Sequence, residues 1–161
     1  MRESCSEIAV ELRKRLRFIL FHHIQLWTMN TTLVPRIPAD GEEEVHYREV
    51  NLYHRHGPLD VATWMPTVPT IEVGGIRFGT DKLSHFVSSG WTLYGSYRRA
   101  LHEGLTPEEA EHAAVRRGLL EESLILGGMT SGLVSLSDLE AGTQGMRFYR
   151  DVCDGADPLI G

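Results

Sequence analysis

The distribution of proline is the feature that most limits how this chain can fold. Five of its seven prolines lie between residues 30 and 69, and they are Pro35, Pro38, Pro58, Pro66 and Pro69. Proline removes a backbone hydrogen-bond donor and clashes with the preceding helical turn, so this density ends helices and fixes extended or turning backbone. Long helices are therefore expected only before and after this stretch.

The composition fits one ordinary globular domain. The chain has 161 residues, of which 42% are hydrophobic and 24% charged, and a chain of this size can bury a core without a metal ion or a disulfide bond. The formal net charge of −6 argues against a nucleic-acid binder, whose phosphate contacts demand a basic surface. No apolar run is long enough to span a bilayer. We expect neither a nucleic-acid partner nor a membrane-spanning helix.

The N-terminal segment has basic and apolar residues in the order typical of a signal peptide. A basic cluster in residues 13–17 precedes the apolar run 18–21, but His22, His23 and Gln25 interrupt that run and no small-residue cleavage site follows. Apolar positions recur mostly at helical steps, which predicts an amphipathic helix within residues 1–29. We expect its basic face to be solvated. Contact of this helix with a membrane surface stays open as the alternative.

A pair of glycines predicts a small hairpin just after the prolines. Residues 74–75 are both glycine, and they separate the runs 70–73 and 76–78 at a point where a tight turn needs positive φ angles. Thr80 then has the chemistry of a helix cap. The apolar stripe that follows predicts about five helical turns over residues 81–102.

Two further helices have capping signals of their own. Thr106 and Glu109 flank Pro107 in the pattern of a capping box, which predicts a helix to about residue 126. Ser137, followed by Glu140, predicts a last helix that ends near residue 152.

The expected fold is a mainly α single domain of about four principal helices, with a small β-hairpin and a long Pro-containing connection. Its three parts are an N-terminal helix in residues 1–29, a Pro-rich connection and hairpin in residues 30–79, and a helical part in residues 80–152 that carries the candidate site.

The two cysteines, Cys5 and Cys153, lie near opposite ends of the chain and match no zinc or redox motif. We expect two free thiols. The less favoured alternative is a bridge, which would close a loop of nearly the whole chain and stabilise the fold by roughly 3 to 5 kcal/mol in the loop-entropy model.

Small and polar residues share one face of the helix predicted over residues 81–102. On this face His85 lies one turn after Asp81, and the side continues with Ser88, Ser89, Thr92, Gly95 and Ser96. The last helix has a matching face, formed by Asp138, Ala141, Gly142 and Gly145. Small residues let helices approach closely, so His85 and Asp138 are expected to meet at one end of the contact. Glu121 and Glu122, at the end of the intervening helix, could join them.

These residue types suit acid/base or metal chemistry. A carboxylate bonded to an imidazole fixes its tautomer and raises its basicity, and one histidine with two or three carboxylates suits Mn²⁺, Zn²⁺ or Fe²⁺. The candidate catalytic residues are His85, Asp138 and Glu122, the candidate metal ligands are His85, Glu121, Glu122 and Asp138, and the candidate supporting residues are Asp81, Ser88 and Ser89. Two alternatives stay open: a cluster that only locks helices together, and a site that binds a small-molecule or lipid-derived ligand without chemistry.

The same residues carry a family resemblance. Segment 81–86, Asp-Lys-Leu-Ser-His-Phe, is followed by Glu121 or Glu122, a glycine-rich connection, and segment 135–141, Ser-Leu-Ser-Asp-Leu-Glu-Ala. This order resembles the Asp-Lys-x-x-His-Phe, Glu and Ser-x-x-Asp-Leu-x-Ala-Asn-x-x-Gly layout of VanZ-like proteins and of the related YfiM-like lipoproteins. Gly142 stands where the family pattern has Asn. The chain lacks the several membrane-spanning helices of the VanZ-like group, so the YfiM-like group is the closer analogy.

The resemblance implies a bacterial protein of the cell envelope or periplasm with a polar cluster at these positions, and it assigns no reaction. Together with the residue chemistry it leads to one hypothesis, a metal-assisted or acid/base hydrolase of an envelope or lipid-derived substrate. The alternative is a non-catalytic envelope-associated structural or assembly protein in which the cluster locks helices together.

Overall fold

The computed structural model describes residues 2–16, 23–37, 69–121, 123 and 135–154. Within these residues there are five helices and a small antiparallel sheet, so the predicted mainly α fold is confirmed. The elements are α1 (Arg2–Leu16), α2 (His23–Asn30), β1 (Arg36–Ile37), β2 (Thr70–Val73), β3 (Ile76–Gly79), α3 (residues 81–102), α4 (Pro107–Glu121) and α5 (Leu136–Asp154). None of the described helices combines the length with the hydropathy that crossing a membrane requires.

The sheet has the order β1-β2-β3 and leads directly into α3. The predicted hairpin is confirmed, because Val73 pairs with Ile76 across the two glycines, whose φ angles are 60° and 80°. Strand β1 is not predicted by the sequence pattern. It lies at the edge of the sheet, where Arg36 pairs with the buried Ile71. An edge strand tolerates neighbouring prolines because only one of its sides forms a ladder.

The helices α1 and α2 occupy the predicted N-terminal helical segment, and residues 17–22 between them lie outside the described part of the chain. The predicted apolar face is wrong for α2, since Gln25 and Thr28 are buried whereas Trp27 is 55% exposed. A polar contact explains the difference. The Ser84 hydroxyl donates a 2.6 Å hydrogen bond to the Gln25 side-chain oxygen, and this bond turns the polar side of α2 toward α3.

The core is formed mainly by α3, α4 and α5, with one residue from α1. The buried cluster consists of Ala9, Leu93, Tyr94, Tyr97, Ala100, Ala110, Ala114, Met146 and Tyr149. Aromatic rings fill its centre, where Trp91 meets Tyr149 edge-on with centroids 5.2 Å apart. In α4 the buried positions are alanines, whose small side chains allow that helix to pack closely on the core.

The helices α3 and α5 cross in direct backbone contact. A Cβ atom on Gly145 would lie 1.9 Å from the Phe86 carbonyl oxygen, and one on Gly90 would lie 2.6 Å from the Gly145 Cα. Next to this point, a Cβ atom on Gly142 would lie 3.2 Å from the Ser89 Cβ atom, which is closer than ordinary van der Waals contact. The predicted contact between small-residue faces is therefore present, and it leaves no space for a side chain at Gly145.

A π-helical turn interrupts α3, where the sequence predicts a continuous α-helix. The α-helical part Asp81–Ser84 continues into the π turn His85–Ser89 and then into the α-helical part Gly90–His102. A π turn adds one residue to a helical turn, so the faces before and after it no longer follow α-helical spacing. Thr92 and Gly95 of the predicted small-residue face are consequently exposed, and Gly90 packs against α5 instead.

One of the two predicted caps in this part of the chain is confirmed and the other is wrong. The Thr106 amide donates to the Glu109 carboxylate over 2.9 Å, and the Glu109 amide donates to the Thr106 hydroxyl over 3.3 Å, as a capping box requires. Thr80 makes no capping hydrogen bond. Its backbone is already helical, with φ −62° and ψ −21°, whereas a capping residue is normally extended.

A charged contact fixes α5 against α4. Glu111 accepts hydrogen bonds from Arg147 over 2.7 and 3.0 Å and from Arg150 over 2.8 Å. The hydrogen bonds from Arg147 hold the pKa of Glu111 below its ordinary value despite partial burial. Two arginines of α5 therefore tie this helix to α4 through one carboxylate.

Cys153 is disulfide-bonded, which contradicts the expectation of two free thiols. The sequence has one other cysteine, Cys5, whose side chain lies outside the described ones. The helices α1 and α5 are in contact, so the first and the last described helices meet in space although they are far apart in sequence. This proximity could not be read from cysteine spacing.

The crossing of α3 and α5 predicts that Gly145→Ala destabilises the protein. The added methyl group would overlap the Phe86 carbonyl, and we expect the free energy of unfolding to fall by about 2 to 4 kcal/mol in urea titrations followed by circular dichroism. Gly95→Ala is the matched control. Its Cβ would meet nothing within 4 Å, so it should be neutral or stabilising by about 0.5 to 1 kcal/mol. Equal midpoints for wild type and Gly145→Ala would contradict the close crossing.

Candidate functional site

His85 opens the π turn of α3, and a buried hydrogen bond from α5 supports this turn. The Tyr149 hydroxyl donates to the Val87 carbonyl oxygen over 3.1 Å, which satisfies a backbone group within the turn. The His85 side chain is 22% exposed, and its Nδ1 atom lies 3.4 Å from the Ser89 hydroxyl. The imidazole is thus held on a fixed backbone and keeps one side open to solvent.

Asp138 stands in the first turn of α5. The predicted cap of this helix is wrong by two residues, because the Ser135 hydroxyl, rather than Ser137, accepts a hydrogen bond of 3.3 Å from the Asp138 amide. A carboxylate near a helix N-terminus is stabilised by the helix dipole. The crossing of the two helices then brings Asp138 Oδ2 to 3.6 Å from His85 Nε2. The expected meeting of His85 and Asp138 is present.

The Lys82 ammonium lies between two carboxylates. Its Nζ is 2.8 Å from Asp81 Oδ2 and also donates to Asp138 Oδ1, while the lysine side chain is only 16% exposed. Burial disfavours the charged ammonium, but its hydrogen bonds to Asp138 and Asp81 outweigh that effect, so the pKa of Lys82 is raised above its ordinary value. One internal cation therefore pairs with two carboxylates and offsets part of their negative charge.

Asp81, His85 and Asp138 together form a cluster with the chemistry of a metal site. One ligand atom from each residue lies within 4.8 Å of the others, and all three residues are partly exposed. A divalent ion bound at its usual ligand distances brings neighbouring ligands to about 3.0 to 3.4 Å from one another. A small inward movement of the side chains would therefore satisfy three coordination positions. One imidazole nitrogen and two carboxylate oxygens suit Mn²⁺, Fe²⁺ or Zn²⁺.

Of the two predicted glutamates, the one that the structure describes, Glu121, is not part of this cluster. Glu121 ends α4, where its carboxylate pairs over 2.9 Å with Arg117, one helical turn earlier. Glu122 lies outside the described residues. The Glu121 carboxylate is thus paired within α4 and is not directed toward the cluster.

The three supporting residues have different positions. Ser89 contacts His85, as expected of a residue behind a ligand. Ser88 accepts a hydrogen bond of 3.2 Å from the Thr92 hydroxyl through its backbone carbonyl, and this bond involves its main chain and not its side chain. Asp81 lies among the candidate ligands instead of behind them.

Lys82 is the site residue that sequence reasoning misses. A lysine in the first turn of a helix is usually solvated, and its partner Asp138 is 56 residues away in sequence. The available signal is its place between Asp81 and His85 in the Asp-Lys-x-x-His pattern, which puts lysine and histidine one turn apart.

The fold and the site define a small helical protein whose Asp81–His85–Asp138 cluster lies where two helices cross. Comparison of the chain with protein-family models, with curated proteins and with solved structures returns no match. The function must therefore be inferred from the chemistry of the site.

The Lys82 ion pairs predict that Asp138→Asn lowers the free energy of unfolding by about 2 kcal/mol at neutral pH, because a mostly buried ammonium loses one carboxylate. The pKa of Lys82 is higher in the folded protein than in the unfolded chain. The stabilisation by its ion pairs is therefore complete below the ordinary lysine pKa, and it is lost as the pH rises through the pKa of the folded state. Urea unfolding of wild type and of Asp138→Asn at increasing alkaline pH should show that the difference between their free energies of unfolding becomes smaller. Glu140→Gln, at an exposed carboxylate of α5, is the control, and an Asp138→Asn protein as stable as wild type would contradict the pairing.

Proposed function

We propose that Asp81, His85 and Asp138 bind a divalent metal ion and that the protein is a metal-assisted hydrolase of the bacterial cell envelope. The observation that carries the proposal is the convergence of one imidazole and two carboxylates within 4.8 Å, from two helices whose relative position is fixed by backbone contact. Three protein ligands on a partly exposed site leave coordination positions open, as in catalytic metal centres.

The residues around the cluster have distinct tasks in this proposal. Ser89 lies beside His85 Nδ1, and His85 Nε2 faces Asp138, so Nε2 is the atom that would bind the ion. Asp138 uses its two oxygens for different partners, one toward His85 and one toward Lys82. When bound, a divalent ion supplies Lewis-acid polarisation of a substrate oxygen. Without it, the same His85–Asp138 pair has the arrangement of a general base and its orienting carboxylate.

Two observations support the cell envelope as the location and the source of the substrate. The first is the resemblance of segments 81–86 and 135–141 to YfiM-like envelope proteins. The second is the disulfide bond at Cys153, since disulfide bonds persist mainly in oxidising compartments. An envelope or lipid-derived ester or amide is the substrate class that this location favours.

A second candidate function is a non-catalytic lock between helices. The contacts of Lys82 favour it, because one ammonium bridges Asp81 of α3 and Asp138 of α5 and so joins the two helices at their crossing. In this case the protein would be a structural or assembly component, and the cluster would bind no metal ion.

The proposed metal site predicts tight binding of Mn²⁺ that depends on His85. Free Mn²⁺, measured by electron paramagnetic resonance during titration, should reveal one site, and His85→Ala should weaken it at least about tenfold. His102→Ala, at an exposed histidine of the same helix, is the matched control and should bind like wild type. Wild-type protein without a Mn²⁺ site, or His85→Ala binding unchanged in a folded protein, would favour the lock.

Hydrolysis is predicted to require the ion as well as His85. We expect turnover of a chromogenic phosphodiester or carboxylic ester that chelator abolishes and Mn²⁺ or Zn²⁺ restores. His85→Ala should lower this turnover by about 100-fold or more, and His102→Ala should leave it unchanged. Turnover that survives both chelation and His85→Ala would contradict metal-assisted hydrolysis. Absence of turnover in a protein that binds Mn²⁺ would leave a binding site without this chemistry.

A further inference from the structure

We propose that Lys82 is an internal competitor for the metal site, whose ammonium must leave the two carboxylates before a divalent ion can bind. The inference rests on the proposed function, in which Asp81 and Asp138 are ligands. It adds a residue that regulates the occupancy of the site.

The contacts of Lys82 are those of a cation already seated in the cluster. Its Nζ bonds to one oxygen of Asp81 over 2.8 Å and to Asp138 Oδ1, while Asp138 Oδ2 faces His85. Two of the three candidate ligands are therefore engaged by the same positive charge. A divalent ion bound to these oxygens would stand within a few ångströms of the ammonium, and the two positive charges would repel each other.

The position of Lys82 allows its ammonium to withdraw. The residue lies in the first turn of α3, and its neighbour Asp81 has a side chain that is 31% exposed, so solvent is close to the ion pair. The lysine stem is flexible, with an ammonium that can be hydrated once it leaves the carboxylates. The two carboxylates thus have a positive partner in both states, either the ammonium or a divalent ion.

The competition predicts opposite effects for two variants of Lys82. Lys82→Met keeps the length of the side chain and removes its charge, so the Mn²⁺ dissociation constant should fall at least about tenfold relative to wild type. Lys82→Arg keeps the positive charge, and Mn²⁺ should bind no tighter than to wild type. Lys82→Met should also gain more thermal stability from Mn²⁺ than wild type does, because the ion restores the missing positive charge.

The outcomes separate this inference from the proposed function. If wild type binds Mn²⁺ and Lys82→Met binds it equally or more weakly, the competition is refuted while the metal site stands. If neither protein binds Mn²⁺, the proposed function fails and the competition fails with it. Tighter binding by Lys82→Met together with weak binding by Lys82→Arg supports the competition.

A measurement on the wild type keeps the inference falsifiable should Lys82→Met fail to fold. The ¹⁵Nζ resonance of Lys82 reports whether its ammonium is hydrogen-bonded or hydrated, and Zn²⁺ is a diamagnetic probe. Titration with Zn²⁺ should move this resonance to the position of a solvated lysine in step with binding. A Lys82 signal that stays unchanged while Zn²⁺ saturates the cluster would overturn the competition.

Discussion

At the crossing of α3 and α5 no side chain separates the two backbones, and a Cβ atom on Gly145 would lie 1.9 Å from a main-chain oxygen of the other helix. This contact fixes the angle and the register of the two helices together. It also decides the geometry of the site, because Asp138 lies two turns before Gly145 on α5 and His85 one turn before Gly90 on α3. The carboxylate and the imidazole meet because the glycines touch.

The charge of the site depends on the same arrangement. Asp81 and His85 belong to one helix and Asp138 to the other, so the cluster exists only when the helices are docked. Lys82 neutralises much of the repulsion between the two carboxylates and holds them close together. A group of this kind can serve as a lock between the helices, or as a cation site that the ammonium occupies until a metal ion binds. The two functions differ in whether a metal ion can displace the Lys82 ammonium from the carboxylates.

Sequence patterns predict the features that depend on neighbouring residues. The glycine pair of the hairpin and the Thr106–Glu109 capping box are such local signals, and both are confirmed. The small-residue faces also predict correctly that α3 and α5 pack and that His85 reaches Asp138. Small side chains at helical spacing allow two helix backbones to pack closely, so the local sequence of each helix indicates this long-range contact.

The remaining features depend on contacts between distant residues, and no local sequence pattern indicates them. The π turn is supported by the Tyr149 hydroxyl from a distant helix, and the buried side of α2 is set by the bond between Gln25 and Ser84. The partner of Lys82 is equally remote.

The central claim is that the cluster exchanges this ammonium for a metal ion, and anomalous scattering from crystals grown with Mn²⁺ tests it most directly. The account predicts an anomalous peak at ligand distance from His85 and both aspartates, with Lys82 turned away. An ordered Lys82 between the carboxylates and no peak at saturating Mn²⁺ would contradict it.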